Sequence, residues 1–275
     1  MKSKSNLLTC VLLSSTLVAC GGGGGDAVAP GTQSVVIAAS EAAVAVGPST
    51  GSVSAPFVRS ASARYIIVYG LSSQTGGSLK NSAQDASGAM TTLNATSLSG
   101  GTVVKEISGN ASYAQGRWEA GTVTDSNGSK IITGADSTSY QYAAFNDLAA
   151  RPTSGSAVCD SGSFTAPHRV AGGTPSSAKM AAGAGTASIA FNANSAVITG
   201  AITAPADGST GSTAFNTSLE SASSTSYTGL FLGGGTGAAV SLATDGATGY
   251  LVVLAYSVKL ANGATYLGVA NFRCQ

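Results

Sequence analysis

The chain carries few side chains that perform chemistry at neutral pH. It has one histidine, His168, four cysteines and 12 acidic residues among 275. A serine hydrolase needs a histidine held between a nucleophilic serine and an orienting carboxylate. No Gly-x-Ser-x-Gly turn lies between a predicted strand and a predicted helix, and Gly208-Ser-Thr-Gly-Ser212 lacks that spacing. We therefore interpret His168 as a loop residue and not as a catalytic base.

Other reactive combinations are equally sparse. Glycoside hydrolysis needs two facing carboxylates, and the spacing of Glu106, Glu119 and Glu220 brings no two of them together. One histidine and two cysteines that an exported protein would oxidise make no set of metal ligands. The glycine-rich stretch 233–237 precedes no helix, so it indicates a hairpin and not a phosphate cradle. We predict no enzymatic activity, no cofactor and no metal.

The first 20 residues carry the most specific motif. Lys2 and Lys4 precede an apolar run at 7–18, which is too short to span a bilayer as a mature helix. The run ends Leu17-Val-Ala-Cys20, which resembles the lipobox of bacterial lipoproteins. The resemblance implies a signal peptide at 1–19 and lipidation of Cys20. An ordinary signal peptide with an unrelated cysteine is the alternative.

The sequence after Cys20 predicts a flexible, lipid-anchored tether at 20–60. Residues 21–25 are all glycine, and no aromatic residue occurs before Phe57. In the sorting pattern of lipoproteins, Asp after the cysteine retains the protein at the inner membrane. Gly21 stands there instead, which predicts anchoring at the outer membrane with display at the cell surface. The periplasmic face is the alternative.

Residues 61–150 predict a smaller β-rich region. Arg64-Tyr-Ile-Ile-Val-Tyr69 is typical of a strand, and Asn127-Gly128 of a tight hairpin turn. Further strands are predicted at 103–108, 111–124, 130–133 and 138–146, whereas 70–101 is ambiguous. The only tryptophan, Trp118, lies in an alternating stretch, so we predict that it packs in a core; an exposed binding residue is the alternative.

Residues 151–275 predict an eight-stranded antiparallel up-and-down β-barrel. Asp245-Gly246 and Asn262-Gly263 are hairpin signals, because both central residues of a tight turn favour positive φ. The predicted strands are 155–165, 185–192, 196–203, 211–218, 226–233, 237–243, 248–259 and 264–273. The joint at 166–183 is too long for a plain hairpin, and long loops on β scaffolds often bind ligands. His168 and Arg169 are therefore the candidate binding-loop residues.

Besides Cys10 in the signal and Cys20 at the lipidation site, the sequence has two cysteines, Cys159 and Cys274. In a barrel of even strand number the first and last strands are antiparallel neighbours, so a Cys159–Cys274 disulfide would close the seam. It would join residues about 115 positions apart. Export favours oxidation; two unrelated buried thiols are the alternative.

The run Gly185-Thr-Ala-Ser-Ile-Ala-Phe191, its hairpin into Val197-Ile-Thr-Gly-Ala-Ile202, and Tyr227-Thr-Gly-Leu-Phe-Leu-Gly-Gly234 resemble the barrel domain of transferrin-binding protein B and related Gram-negative surface lipoproteins. The segment 235–241 lacks the Pro and Glu that the family carries there. The resemblance implies a lipid-anchored barrel that recruits a host or nutrient-carrier protein, or a small ligand, through its loops.

The net charge of the chain argues against a nucleic-acid partner. Removing the signal removes two lysines and leaves 11 basic and 12 acidic residues, so no basic field exists for nucleic acid. We expect a monomeric binding module held to the membrane through its lipid. A structural or envelope-assembly lipoprotein without a ligand is the alternative. A transmembrane barrel is disfavoured because 211–218 is too polar and 237–243 too short for an apolar band.

Overall fold

A computed structural model describes residues 47–70, 73–134, 139–173, 181–206 and 208–275, without the side chains of residues 206 and 232. The predicted signal, Cys20 and the tether up to residue 46 lie outside these residues. The described chain is all-β, and its only helical element is a single 3₁₀ turn at Phe231–Gly233. Among the described residues, no helix is long and apolar enough to cross a membrane.

Eighteen strands make up the described structure. The first eight are β1 (Ala63–Gly70), β2 (Ser73–Ser78), β3 (Ser82–Gln84), β4 (Met90–Leu93), β5 (Thr96–Asn110), β6 (Tyr113–Asp125), β7 (Gly128–Thr133) and β8 (Tyr140–Asn146). The others are β9 (Gly155–Val158), β10 (Ser163–Phe164), β11 (His168–Ala171), β12 (Ala184–Phe191), β13 (Ala196–Ala206), β14 (Ser209–Leu219), β15 (Thr225–Gly229), β16 (Gly237–Asp245), β17 (Gly249–Lys259) and β18 (Thr265–Cys274).

Strands β1–β8 form one antiparallel sheet in the order β2-β1-β8-β6-β5-β4-β3, with β7 also paired to β6. The seven strands of this path curl into a half-barrel. Its hollow side encloses an apolar core that includes Ile67, Leu93, Trp118 and Tyr142. Trp118 is fully buried, and its Nε1 donates to the Met90 carbonyl at 2.7 Å. The predicted packing role of Trp118 is therefore confirmed.

Strands β9–β18 form two further antiparallel sheets. One has the order β14-β13-β12-β9; the other has the order β10-β18-β17-β16-β15, with β11 also paired to β18. The seven later segments predicted for this region each overlap a strand, β12 to β18, although 226–233 is a strand only to Gly229 and then forms the 3₁₀ turn. The first, 155–165, is divided into β9 and β10, because Asp160 accepts from the Gly162 amide at 3.0 Å in a turn where Gly162 has φ +75°.

The two cysteines of this region lie where these two sheets meet. Cys159 follows β9 and Cys274 ends β18, and their Sγ atoms are 2.01 Å apart, at disulfide distance. Val158 and Gln275 exchange backbone hydrogen bonds of 3.0 and 3.1 Å beside them. The pair therefore joins a strand end of one sheet to a strand end of the other.

Strands β8, β17 and β18 are buried on both faces. Along β17, Leu254 and Tyr256 face the core enclosed by the two C-terminal sheets, whereas Val253 and Ala255 face the N-terminal sheet. Phe145 of β8 belongs to that second, shared cluster. The described chain thus has three apolar layers, of which the middle one is built by both halves.

Two cross-strand pairs of glycine and tyrosine allow this close packing. Gly116 lies opposite Tyr142, and Gly268 lies opposite Tyr256. A Cβ at Gly116 would lie 2.5 Å from the Tyr142 hydroxyl, and one at Gly268 would lie 2.3 Å from the Tyr256 ring. Each tyrosine ring therefore fills the space that a side chain on its partner strand would need.

The end of the predicted tether that the structure describes, residues 47–60, packs against the first sheet. Thr50 donates to the Val104 carbonyl at 3.0 Å, and Ile107 donates to the Thr50 carbonyl at 2.9 Å. Phe57 is buried, and its backbone exchanges two hydrogen bonds with the Gln84 side chain, of 2.9 and 2.8 Å. Free chain over 47–60 was a wrong expectation, because the aromatic Phe57 and the backbone both find partners.

We predict that Cys159→Ser and Cys274→Ser lower the free energy of unfolding equally. A disulfide between residues 115 positions apart lowers the conformational entropy of the unfolded chain. The chain-entropy model gives a stabilisation of about 4–5 kcal/mol for such a bond. The double variant should lose no more than either single variant, because each removes the same bond. Urea unfolding of the four proteins measures this. Additive losses would show that each cysteine stabilises by packing alone.

Candidate functional site

A cleft of about 750 Å³ lies between the N-terminal sheet and the stretch from Ser223 to Tyr227. An ion pair forms part of its lining. Arg64 of β1 donates from Nε to Oδ1 of Asp147 at 2.5 Å, and the two side chains are only 11% and 5% exposed. Burial raises the pKa of the Asp147 carboxyl, and Arg64 opposes that rise. A buried charge pair in a cleft is the kind of group that fixes the orientation of a ligand.

Arg64 also joins the two halves of the protein. Its Nη1 donates to the Thr225 hydroxyl at 3.0 Å, and the Thr225 hydroxyl lies 2.7 Å from that of Ser241. The guanidinium carbon lies 5.0 Å from the centre of the Phe145 ring, within the range of a cation–π contact. Nη2 is buried without a hydrogen-bond partner. Since an unpaired buried donor costs about 1–3 kcal/mol, the guanidinium retains capacity for an acceptor.

The rest of the cleft is lined by polar side chains and two tyrosine rings. Tyr65 and Tyr227 line the cleft, and Tyr227 is 53% exposed although it is a large aromatic residue. Hydroxyl and amide groups surround them from Ser62, Gln74, Ser78, Ser223, Thr225 and Ser241. This combination of a charge pair, short polar side chains and an accessible ring suits a ligand that is rich in hydrogen-bonding groups.

The candidate binding-loop residues His168 and Arg169 lie in strand β11, paired with Leu267 and Tyr266 of β18. His168 is 2% exposed, so its assignment to an exposed loop was wrong. The length of the joint at 166–183 suggested a loop. In the structure His168 instead pairs with β18 and is buried under the N-terminal sheet. Arg169 donates from Nη1 to the Gly172 carbonyl at 3.0 Å. Residues 174–180 of the same joint lie outside the described chain.

His168 belongs to a buried polar group between the two halves. Its Nδ1 lies 2.7 Å from Nε2 of Gln141, which also donates to the Leu267 carbonyl at 2.7 Å and to the Ala166 carbonyl at 3.2 Å. Oε1 of Gln141 accepts from the Val269 amide at 3.1 Å and contacts the Thr165 hydroxyl. Burial lowers the pKa of His168 to about 3. The imidazole is therefore neutral throughout the physiological range.

A second buried polar contact crosses the same layer. Asn271 of β18 donates from Nδ2 to Oε1 of Gln115 in β6 at 2.6 Å. Gln115 in turn donates from Nε2 to the Ser163 hydroxyl at 3.4 Å, and Ser163 lies 3.3 Å from the Ser108 hydroxyl. Oδ1 of Asn271 is buried without a hydrogen-bond partner. The other contacts cross between the sheets, so they fix how the two halves are placed without forming an accessible site.

Two of the three candidate glycosidase carboxylates meet at one arginine. Arg117 binds Glu106 through Nε and Nη2 at 2.8 and 3.0 Å, and Nη1 contacts Glu119. Both carboxylates are thus compensated by a positive charge that lies between them. Glu220 is exposed after the end of β14. In the part of the chain that is described, no group of three or more His, Cys, Asp or Glu side chains could hold a metal ion.

Sequence reasoning missed the cleft because its residues are distant in the chain. Arg64 and Asp147 are 83 positions apart, and Arg64 and Thr225 are 161 apart. They meet because β1 pairs with β8 and because both strands pack on the C-terminal sheet. The local signal was limited to charged residues at the ends of two strands, Arg64 near the start of β1 and Asp147 just after β8.

Comparisons with known proteins do not assign this chain to a family. No family model matches the chain, and neither a curated protein nor a solved structure is similar to it.

The burial of His168 predicts a pH dependence of stability. The unfolded chain takes up a proton below pH 6.5, whereas the folded chain does so only near pH 3, so the free energy of unfolding falls as pH falls below 6.5. The expected slope is about 1.4 kcal/mol per pH unit. His168 is the only histidine, so no other imidazole titrates in this interval.

Urea unfolding at several pH values, for the wild type and for His168→Gln, measures this slope. The variant should lose stability less steeply over that interval. Equal slopes in the two proteins would show that folding does not shift the pKa of His168.

Proposed function

We propose that this chain is an outer-membrane lipoprotein, displayed on the cell surface, that acts as a binding module of the transferrin-binding protein B type. Its acylated Cys20 would hold it to the membrane, and the glycine run after Cys20 would let the folded part extend from the surface. Its partner would be a host or nutrient-carrier protein or a small ligand. The lipobox and the strand pattern of 185–234 support this assignment.

The cleft around Arg64 carries the proposal. Its volume of about 750 Å³ lies within the roughly 300–1,000 Å³ usual for sites of small molecules. It joins an ion pair, uncharged polar groups and the exposed ring of Tyr227 in one concave surface. Binding would therefore occur between the N-terminal sheet and the C-terminal sheets, and not at the joint that contains His168 and Arg169.

We further propose that β9–β18 act as one eight-stranded barrel closed at the cysteine pair, in which β9 and β10 together form the first strand and β11 is an additional strand beside β18. Five hairpin pairings, β12-β13, β13-β14, β15-β16, β16-β17 and β17-β18, support this architecture. Both sheets enclose one apolar core that includes Phe215, Leu242 and Phe272. Between β14 and β15 the side chains of Thr217 and Ser226 lie 2.5 Å apart, where the second seam would close.

Binding is favoured over catalysis by the state of the reactive groups. The only histidine is buried between sheets, away from the cleft. Glu106 and Glu119 are both compensated by Arg117. Asp147, the carboxylate of the cleft, is compensated by Arg64. None of these groups is arranged to exchange a proton with a bound substrate.

One experiment on intact cells tests display and cleft together. Cells carrying the wild type, Tyr227→Ala or Ile131→Ala are incubated with fractionated host serum, and the material retained on the cells is quantified by mass spectrometry. Ile131 is the matched control, since it is an exposed apolar residue outside the cleft lining. We expect Tyr227→Ala to lower retention at least about 5-fold, because truncating an aromatic contact residue costs over 1 kcal/mol.

Protease treatment of the intact cells should remove the retained material together with the chain, and Cys20→Ala should prevent both retention and membrane attachment. A chain that is protected until the outer membrane is permeabilised would contradict surface display. Equal retention by all three proteins would contradict the cleft, and retention of resident envelope proteins alone would favour the structural alternative.

A further inference from the structure

The layer between the two halves holds a hydroxyl nucleophile next to a carboxamide. Thr165 and Gln141 are both fully buried, and His168 beside them is 2% exposed. The Thr165 hydroxyl contacts the carboxamide oxygen of Gln141. None of these three residues lines the Arg64 cleft. Their enclosure keeps water away from the carboxamide, so hydrolysis cannot compete with a reaction between the two side chains.

The carboxamide of Gln141 has one orientation. Its oxygen faces two donors, the Val269 amide at 3.1 Å and the Thr165 hydroxyl, and its nitrogen faces the Leu267 and Ala166 carbonyls. A flipped amide would place the nitrogen against the Val269 donor and the oxygen against two acceptors. The Val269 amide, which also donates to the Thr165 hydroxyl oxygen at 2.9 Å, is therefore placed to stabilise negative charge that develops on Oε1.

His168 approaches the nitrogen of the same carboxamide. Nδ1 lies 2.7 Å from Nε2 of Gln141, whose two hydrogens already point at backbone carbonyls. We assign the proton to Nδ1, because both hydrogens of the Gln141 nitrogen are directed at carbonyls and leave none for Nδ1 to accept. A planar amide nitrogen accepts this hydrogen bond poorly. The bond becomes favourable once the carbonyl carbon is tetrahedral and the nitrogen carries a lone pair.

We propose that Thr165 and Gln141 form an intramolecular ester. Oγ1 of Thr165 attacks Cδ of Gln141, so the new bond is Oγ1–Cδ, and the bond that breaks is Cδ–Nε2. The leaving nitrogen takes a proton from Nδ1 of His168 and departs as ammonia. The proton lost by the Thr165 hydroxyl balances the one taken up by the leaving nitrogen, so His168 returns to its starting protonation state. One hydroxyl and one carboxamide thus give one ester and one ammonia, without an oxidant or any other reactant.

The cross-link would join the two halves of the protein covalently. Gln141 belongs to β8 of the N-terminal sheet, and Thr165 lies between β10 and β11, with its amide donating to Val269 of β18 at 3.0 Å. The disulfide joins only strands of the C-terminal region. An ester at this position would therefore hold together the layer that the disulfide does not reach.

Peptide mass spectrometry of the full-length protein tests the proposal. After reduction and chymotrypsin digestion, which cleaves after Phe145 and Phe164, the expected dominant product is one peptide pair that contains Gln141 and Thr165 and has lost one ammonia. Hydroxylamine should separate the pair and leave a hydroxamate at position 141. Two separate, unmodified peptides as the dominant forms would overturn the proposal.

A matched control removes the main ambiguity. A succinimide at Asn127-Gly128 or Asn262-Gly263 loses the same ammonia, so the mass alone is insufficient. Thr165→Val keeps the size of the side chain without the nucleophile and should show neither the pair nor the loss at Gln141. Thr165→Ser should keep the cross-link, and His168→Gln should slow its formation by roughly 10²–10⁴-fold. A cross-linked product that persists in Thr165→Val would also overturn the assignment.

Discussion

The burial of β8, β17 and β18 on both faces is the constraint on which the rest of this structure depends. A strand that is apolar on both sides needs a covering layer on each side. The sheet of β9, β12, β13 and β14 covers one face of β17 and β18, and the N-terminal sheet covers the other. Each half therefore completes a core that the other half cannot close.

This shared layer also explains where the polar groups lie. Gln115, Gln141 and Asn271 are buried between the sheets, where an unpaired polar group would cost about 1–3 kcal/mol. They bond to one another, to Ser163 or to backbone groups of the opposite sheet. Ile66 and Phe145 of this layer also line the Arg64 cleft. The contact that fixes the two halves and the surface proposed to bind a ligand are thus parts of one interface.

Local sequence signals were sufficient to predict the C-terminal strands, but not which other strands pack against them. Asp245-Gly246 and Asn262-Gly263 predict hairpins between neighbouring strands, and β16, β17 and β18 follow in that order. The pairing of β1 with β8 joins residues about 80 positions apart, and no local pattern encodes such a register. The run Gly249-Tyr-Leu-Val-Val-Leu-Ala-Tyr256 lacks the alternation of a half-buried strand, and this was the available sign of burial on both faces.

Equilibrium unfolding in urea, followed by two probes in one sample, tests whether the halves depend on each other. Trp118 fluorescence reports the core of the N-terminal sheet, and amide hydrogen exchange along β17 reports the C-terminal core. The shared layer predicts a single transition, with the same midpoint and the same slope for both probes. Two separate transitions, with Trp118 becoming exposed while the β17 amides remain protected, would show that each half folds alone and would contradict this account.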